Sequence, residues 1–162
     1  MKIATIRSTN IALAFAALFA LAFALTLQYA FGVAPCTMCM WERWPYVAVI
    51  LLVAMTLLTG HERLTLAIVV LLMLGNAVLS AYHVGVEEGI FALPDTCNSD
   101  IKATTIEELR AQLATVRPTC DQAALRLFGI SLAGWNGLYA AALAVFGSYS
   151  LILAWRHANR QR

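Results

Sequence analysis

The stretch IALAFAALFALAFALTLQYAF, residues 11–31, holds 21 residues without one charged side chain. A helix that crosses a bilayer needs about 20 mostly apolar residues, so this run can span a membrane by itself. The charge-free zone is wider still: no Asp, Glu, Lys or Arg occurs between Arg7 and Glu42. Working outward, three more apolar runs follow. Tyr46 to Thr59 reaches spanning length when begun near Met40 or Trp41, Leu64 to Tyr82 supplies 19 residues, and Leu127 to Trp155 supplies 29. The whole chain of 162 residues is 61% hydrophobic and only 12% charged, with a mean hydropathy of +0.75. Soluble domains carry about 25% charged residues, so this charge cannot cover a water-facing surface. Disordered, collagen-like and coiled-coil readings fail on the same numbers.

The expected fold is an all-α membrane protein. A single membrane domain over 1–162 forms a four-transmembrane-helix bundle, with helices at about 10–31, 41–59, 64–83 and 128–155 and outer loops at about 32–40 and 84–127. The first run follows Lys2 and Arg7 like a signal peptide, but it exceeds the roughly 7–15 residues of a signal core and is read as retained. Basic residues set the orientation. Lys2, Arg7, Arg63, Arg156, Arg160 and Arg162 crowd short tails and one tiny connection, whereas Lys102, Arg110, Arg117 and Arg126 are diluted in a 43-residue loop that also holds seven acids. Both termini are therefore expected in the cytoplasm, with the cysteines facing out. Within the long loop, Ile106, Leu109, Leu113 and Val116 recur at helical spacing. Thr104 with Glu107, and Thr105 with Glu108, fit a capping box. The reading is a short amphipathic helix lying on the membrane surface and ended by Pro118.

Four cysteines remain. Cys36 and Cys39 form a Cys-Thr-Met-Cys motif between helices one and two, and Cys97 and Cys120 lie in the long loop. Zinc fits poorly, because Cys97 and Cys120 are too far apart to make a second close pair. Two structural disulfides fit the loop pair better than the first pair, whose ring is too small to stabilise much by loop entropy. Redox chemistry is the third reading: a Cys-x-x-Cys dithiol can resolve a mixed disulfide quickly. A helix starting near the motif favours the Cys39 thiolate. Arg43, four residues on, shares its helical face and can meet a carbonyl oxygen that gains charge on reduction, or else anchor at the headgroups beside Glu42.

Cys-x-x-Cys-x-x-Glu-Arg after a first transmembrane helix resembles the DsbB family of disulfide-bond-forming membrane proteins. The resemblance covers nearly the whole chain: four helices, a short and then a long outer loop, a separated cysteine pair in the second, and the segment from Cys120 through Phe128-Gly129 to Trp135. It implies a bacterial inner-membrane oxidoreductase that reoxidises a periplasmic thioredoxin-fold dithiol oxidase of the DsbA type and passes the electrons to the membrane quinone pool, ubiquinone or menaquinone. By the same resemblance, Cys97 is the cysteine attacked by the partner's thiolate. Cys120 is its loop mate, which can exchange into a disulfide with Cys36. Cys39 is the thiolate left against the quinone ring, Arg43 contacts the quinone, and His83 lies near it. Vitamin K epoxide reductase, a quinone-linked reductase of a small molecule, carries its motif late in the chain, unlike this one. A small membrane subunit or adaptor with purely structural disulfides is the alternative. No metal and no nucleic-acid partner are expected.

Overall fold

The computed structural model describes residues 2–97, 105–108, 110 and 118–159. Helix α1 runs over Lys2–Tyr29 and is followed by a short helix α2, Thr37–Trp41. Helices α3 (Trp44–Thr59) and α4 (Glu62–Glu87) come next, then a hairpin of β1 (Arg126–Leu127) and β2 (Ile130–Ser131), and finally α5 (Leu132–Asn159). Four segments are long and apolar enough to cross a bilayer: Ile6–Tyr29, Thr37–Thr59, Glu62–Glu87 and Leu132–His157. The chain is thus the expected all-α multi-pass membrane protein. The amphipathic helix expected in the long loop lies largely outside the described residues, as do Lys102, Arg117, Arg160 and Arg162. Its capping box is present: the Glu108 N–H donates to Thr105 Oγ1 at 3.2 Å, and the Thr105 N–H donates to Glu108 Oε2 at 3.3 Å.

Leu13 and Ala17 of α1, Val49 and Val53 of α3, Leu66, Val69 and Met73 of α4, and Ala144 of α5 form the bundle core. Phe15, Phe19, Leu71 and Val145 are each at least 65% exposed. Helices apolar on every side put their outward residues into lipid, so exposure here carries no hydrophobic penalty. Between such helices close approach has to come from small side chains. A Cβ on Gly137 would lie 3.1 Å from Ser80 Cβ, and one on Gly147 would lie 2.7 Å from Val70 Cγ2. These glycines let α5 lie against α4, its most extensive neighbour.

At the end holding the N-terminus, Asn10 Nδ2 donates to the Glu62 carbonyl at 3.0 Å and to Glu62 Oε2 at 2.8 Å, tying α1 to α4. The Thr56 and Thr65 hydroxyls hydrogen-bond across the tight α3–α4 turn, where Gly60 takes φ +75°. At the other end the spans depart from their expected edges for local reasons. The second begins at Thr37 rather than 41 and breaks after Trp41, because Pro45 has no N–H to continue the ladder. α4 runs past 83 to Glu87. α5 starts at Leu132 rather than 128, because Phe128 and Gly129, both at positive φ, make the two-residue turn of the hairpin. Ser131 Oγ then caps α5 by accepting the Gly134 N–H at 3.1 Å.

Gly147→Leu should wedge α5 away from Val70 and Leu66 and destabilise the bundle by about 1–3 kcal/mol. A lowered melting temperature in detergent, with the alkylation of Cys36 and Cys39 unchanged, is the expected result.

Candidate functional site

Glu42 and Arg43, at the turn between α2 and α3, point to different partners. Glu42 is buried, and its Oε1 accepts from His83 Nδ1 at 2.8 Å while its Oε2 accepts from Asn136 Nδ2 at 3.1 Å. Asn136 also donates to Ser80 Oγ at 2.8 Å and accepts from the Tyr46 hydroxyl at 2.7 Å. Arg43 Nη1 donates to Gln28 Oε1 of α1 at 2.6 Å. The carboxylate at 42 is thus engaged by α4 and α5, not by its sequence neighbour Arg43.

Cys36 is the N-cap of α2, and its Sγ accepts the Cys39 N–H at 3.1 Å. The expectation that the helix start would favour the Cys39 thiolate is corrected here. Because α2 begins at Thr37, the free backbone N–H points at Cys36 instead. His83 Nε2 lies 3.5 Å from the same sulfur and 3.9 Å from Glu87 Oε1. The Cys36 thiol is lowered to about 4, chiefly by its hydrogen bond with the Cys39 thiol and then by His83, against the upward push of burial. Both thiols are free. The two sulfurs and a His83 nitrogen lie within 4.8 Å of one another.

Cys97 and Cys120 form a disulfide, with their Cα atoms 5.5 Å apart. A four-cysteine zinc site is therefore excluded in this state. Cys97 is 4% exposed and Cys120 fully buried. Both pack with Cys36, Met38 and Val86 in one buried cluster, against which Cys39 also rests. Two cysteine pairs whose nearest members, Cys39 and Cys97, lie 58 positions apart in sequence thus meet in one cluster.

A cavity of about 520 Å³ opens beside the first pair. Phe19, Leu27, Leu132 and Tyr139 supply apolar walls, and Cys36, Cys39, Arg43 and His83 line its polar side. Trp135 lines it too, with its indole N–H donating to the Leu127 carbonyl at 3.1 Å. Of the candidates from the sequence, Cys36, Cys39, Arg43 and His83 line this cavity, and Cys97 and Cys120 pack in the cluster that holds Cys36. Sequence reasoning passed over Gln28 and the carboxylate–amide pair of Glu42 and Asn136. The available signal was their polarity inside or beside charge-free runs, where polar groups are costly and usually functional.

The profile of the family described as "Disulfide bond formation protein DsbB" matches residues 6–160. A protein of Rickettsia prowazekii (strain Madrid E) called uncharacterized is 29% identical over 157 residues, 93% of this chain and 90% of the relative. The "Disulfide bond formation protein B" of Albidiferax ferrireducens is 28% identical over 151 residues, 87% of this chain and 83% of the relative. No solved structure matches.

In anaerobically purified protein, alkylation without added reductant should label Cys36 and Cys39 and leave Cys97 and Cys120 unlabelled. Peptide mass spectrometry of the protein in detergent reads this directly.

Proposed function

Because this chain belongs to the DsbB family of disulfide bond formation proteins, we propose that it reoxidises a periplasmic thioredoxin-fold dithiol oxidase of the DsbA type and passes the electrons to a membrane quinone, ubiquinone or menaquinone. The observation that carries this reading is the meeting of a disulfide and a dithiol in one buried cluster beside an apolar cavity. Thiol–disulfide exchange needs a thiolate in contact with a disulfide sulfur, and the packing of both pairs in one cluster supports that reading. A purely structural adaptor would not need a free dithiol at Cys36 and Cys39.

The electrons need an acceptor beyond the cysteines. For a two-electron couple, roughly 30 mV corresponds to about 1.4 kcal/mol, so a strongly oxidising partner demands a still stronger acceptor behind it. The cavity fits one. Its volume of about 520 Å³ lies inside the range of about 300–1,000 Å³ usual for ligand pockets, and its apolar walls suit a lipid-soluble ring. Arg43, braced by Gln28, would hold a ring carbonyl, and His83 and Trp135 would border it. A bound quinone supplies a two-electron, two-proton acceptor; the protein supplies position and charge.

In the proposed relay the partner's thiolate attacks Cys97, Cys120 exchanges with Cys36, and Cys39 is released as the thiolate that faces the cavity. Cys39 carries that charge only once Cys36 is engaged in the mixed disulfide, since Cys36 holds it in the free dithiol. The burial of the loop disulfide adds a requirement: an external thiolate reaches Cys97 only if the docked partner displaces the loop. The basic residues crowded at the termini and the α3–α4 turn support a bacterial inner-membrane location with both termini cytoplasmic and the cysteines periplasmic.

Cys36→Ala or Cys39→Ala should abolish quinone reduction. Cys97→Ala or Cys120→Ala should abolish partner oxidation yet leave quinone binding. Arg43→Ala should raise the KM for quinone roughly tenfold, the loss of about 1.4 kcal/mol, with a smaller effect on exchange with the partner. Steady-state assays varying quinone and partner separately distinguish these outcomes. Partner oxidation with quinone by a Cys36→Ala/Cys39→Ala chain would refute the relay.

A further inference from the structure

We propose that His83 is the proton-accepting catalytic residue for the Cys36 thiol and that Glu42 is its positioning residue, together holding the reduced first pair as a thiolate–imidazolium pair. The inference rests on the reading of Cys36 and Cys39 as a cycling dithiol.

An ionised carboxylate only accepts hydrogen bonds. The Glu42 Oε1 contact therefore puts the ring proton of neutral His83 on Nδ1, 2.8 Å away. Nε2 is left as the basic nitrogen, and it is the one that lies 3.5 Å from Cys36 Sγ. A buried histidine needing only a structural partner would be satisfied by Glu42 alone. Here its second nitrogen is directed at a free thiol in a thiol–imidazole–carboxylate arrangement suited to activating a nucleophile. The carboxylate is itself fixed from a third helix, because Asn136 donates to its other oxygen and is held in turn by Ser80 and Tyr46.

The step is a proton transfer. The S–H bond of Cys36 breaks, an N–H bond forms at His83 Nε2, and the thiolate keeps the Cys39 backbone N–H as a donor at 3.1 Å. Closing the Cys36–Cys39 disulfide then releases two electrons, with one proton from the Cys39 thiol and one from His83. That total matches what a quinone takes up. His83 is thereby more than a border of the cavity: it stores the proton that Cys36 gives up.

Among the described residues, the groups facing His83 are few. Its own helix offers Glu87, α2 offers Cys36 and Cys39, the turn after it offers Glu42, α3 offers Tyr46, and Arg43 lines the same cavity. Neither α1 beyond Arg7 nor α5 before Arg156 holds a charged residue. The Cys36 thiol is lowered to about 4, most by its hydrogen bond with the Cys39 thiol and next by the one with His83. A lowered value means that thiolate is present above about pH 4 and is lost below it, so removing the imidazolium must move the midpoint up.

The test is the pH profile of Cys36 alkylation by iodoacetamide in the full-length reduced protein in detergent, read by peptide mass spectrometry. The midpoint is the readout rather than the rate, because a thiolate's intrinsic reactivity rises with its pKa and masks population changes. His83→Ala should raise the midpoint by at least about one pH unit, a tenfold fall in thiolate population. The near-isosteric Glu42→Gln should raise it in the same direction. An intact Cys97–Cys120 disulfide and unchanged helical circular dichroism certify the fold, and Glu42→Gln carries the test if His83→Ala fails to fold. A midpoint that stays put in a folded variant overturns the proposal. The assay uses neither quinone nor partner: a low midpoint with no quinone reduction would sink only the relay, and an ordinary midpoint with full turnover would sink only this inference.

Discussion

A carboxylate buried among apolar helices has to be compensated, because a charge taken out of water costs several kcal/mol unless it is paired and hydrogen-bonded. Glu42 meets that constraint with both oxygens, one on His83 and one on Asn136. The rest of the site is arranged around this. The Glu42 contact turns the His83 ring so that Nε2 meets Cys36, and it draws α3, α4 and α5 together through Tyr46, Ser80 and Asn136. Close packing at Gly137, where Ser80 is the nearest neighbour, lets that polar link form without separating the helices.

The break in the second span lies beside this site. Neighbouring residues on a helix already point about 100° apart, and Glu42 and Arg43 keep right-handed helical backbone angles at the break. Pro45 cannot extend the backbone ladder, so the chain turns between Trp41 and Trp44. One charge then enters the bundle and the other meets Gln28 at the cavity. Adjacent positions on a helix do not face each other, so the two neighbouring charges serve different partners.

Polar groups are costly in a bilayer, and this chain concentrates them at two levels. Asn10, Glu62 and the threonine pair fasten one end, where the connection between α3 and α4 is very short. The other end holds the thiols, His83, Glu42 and Asn136 beneath a loop that carries the disulfide. The apolar length between the two levels, exposed along Phe15, Leu71 and Val145, faces lipid and separates the anchoring end from the reactive one.

The sequence by itself determined the four spans, the division into a short and a long outer loop, the Cys-x-x-Cys pair and the nearby arginine. It could do so because hydropathy and motif spacing are local properties, and a bilayer demands roughly 20 apolar residues wherever the chain crosses. It misjudged span edges where a proline break or a type of turn, rather than hydropathy, ends a helix: Phe128 and Ile130 read as helix by composition but belong to a hairpin. Tertiary structure alone decided that Cys36, not Cys39, receives the helix-start N–H, that His83 bonds to Glu42 and Cys36, and that the loop disulfide rests on the dithiol. The His83 contacts join side chains 41 and 47 positions apart in sequence, at 2.8 and 3.5 Å, and no pattern within one helix specifies such a meeting.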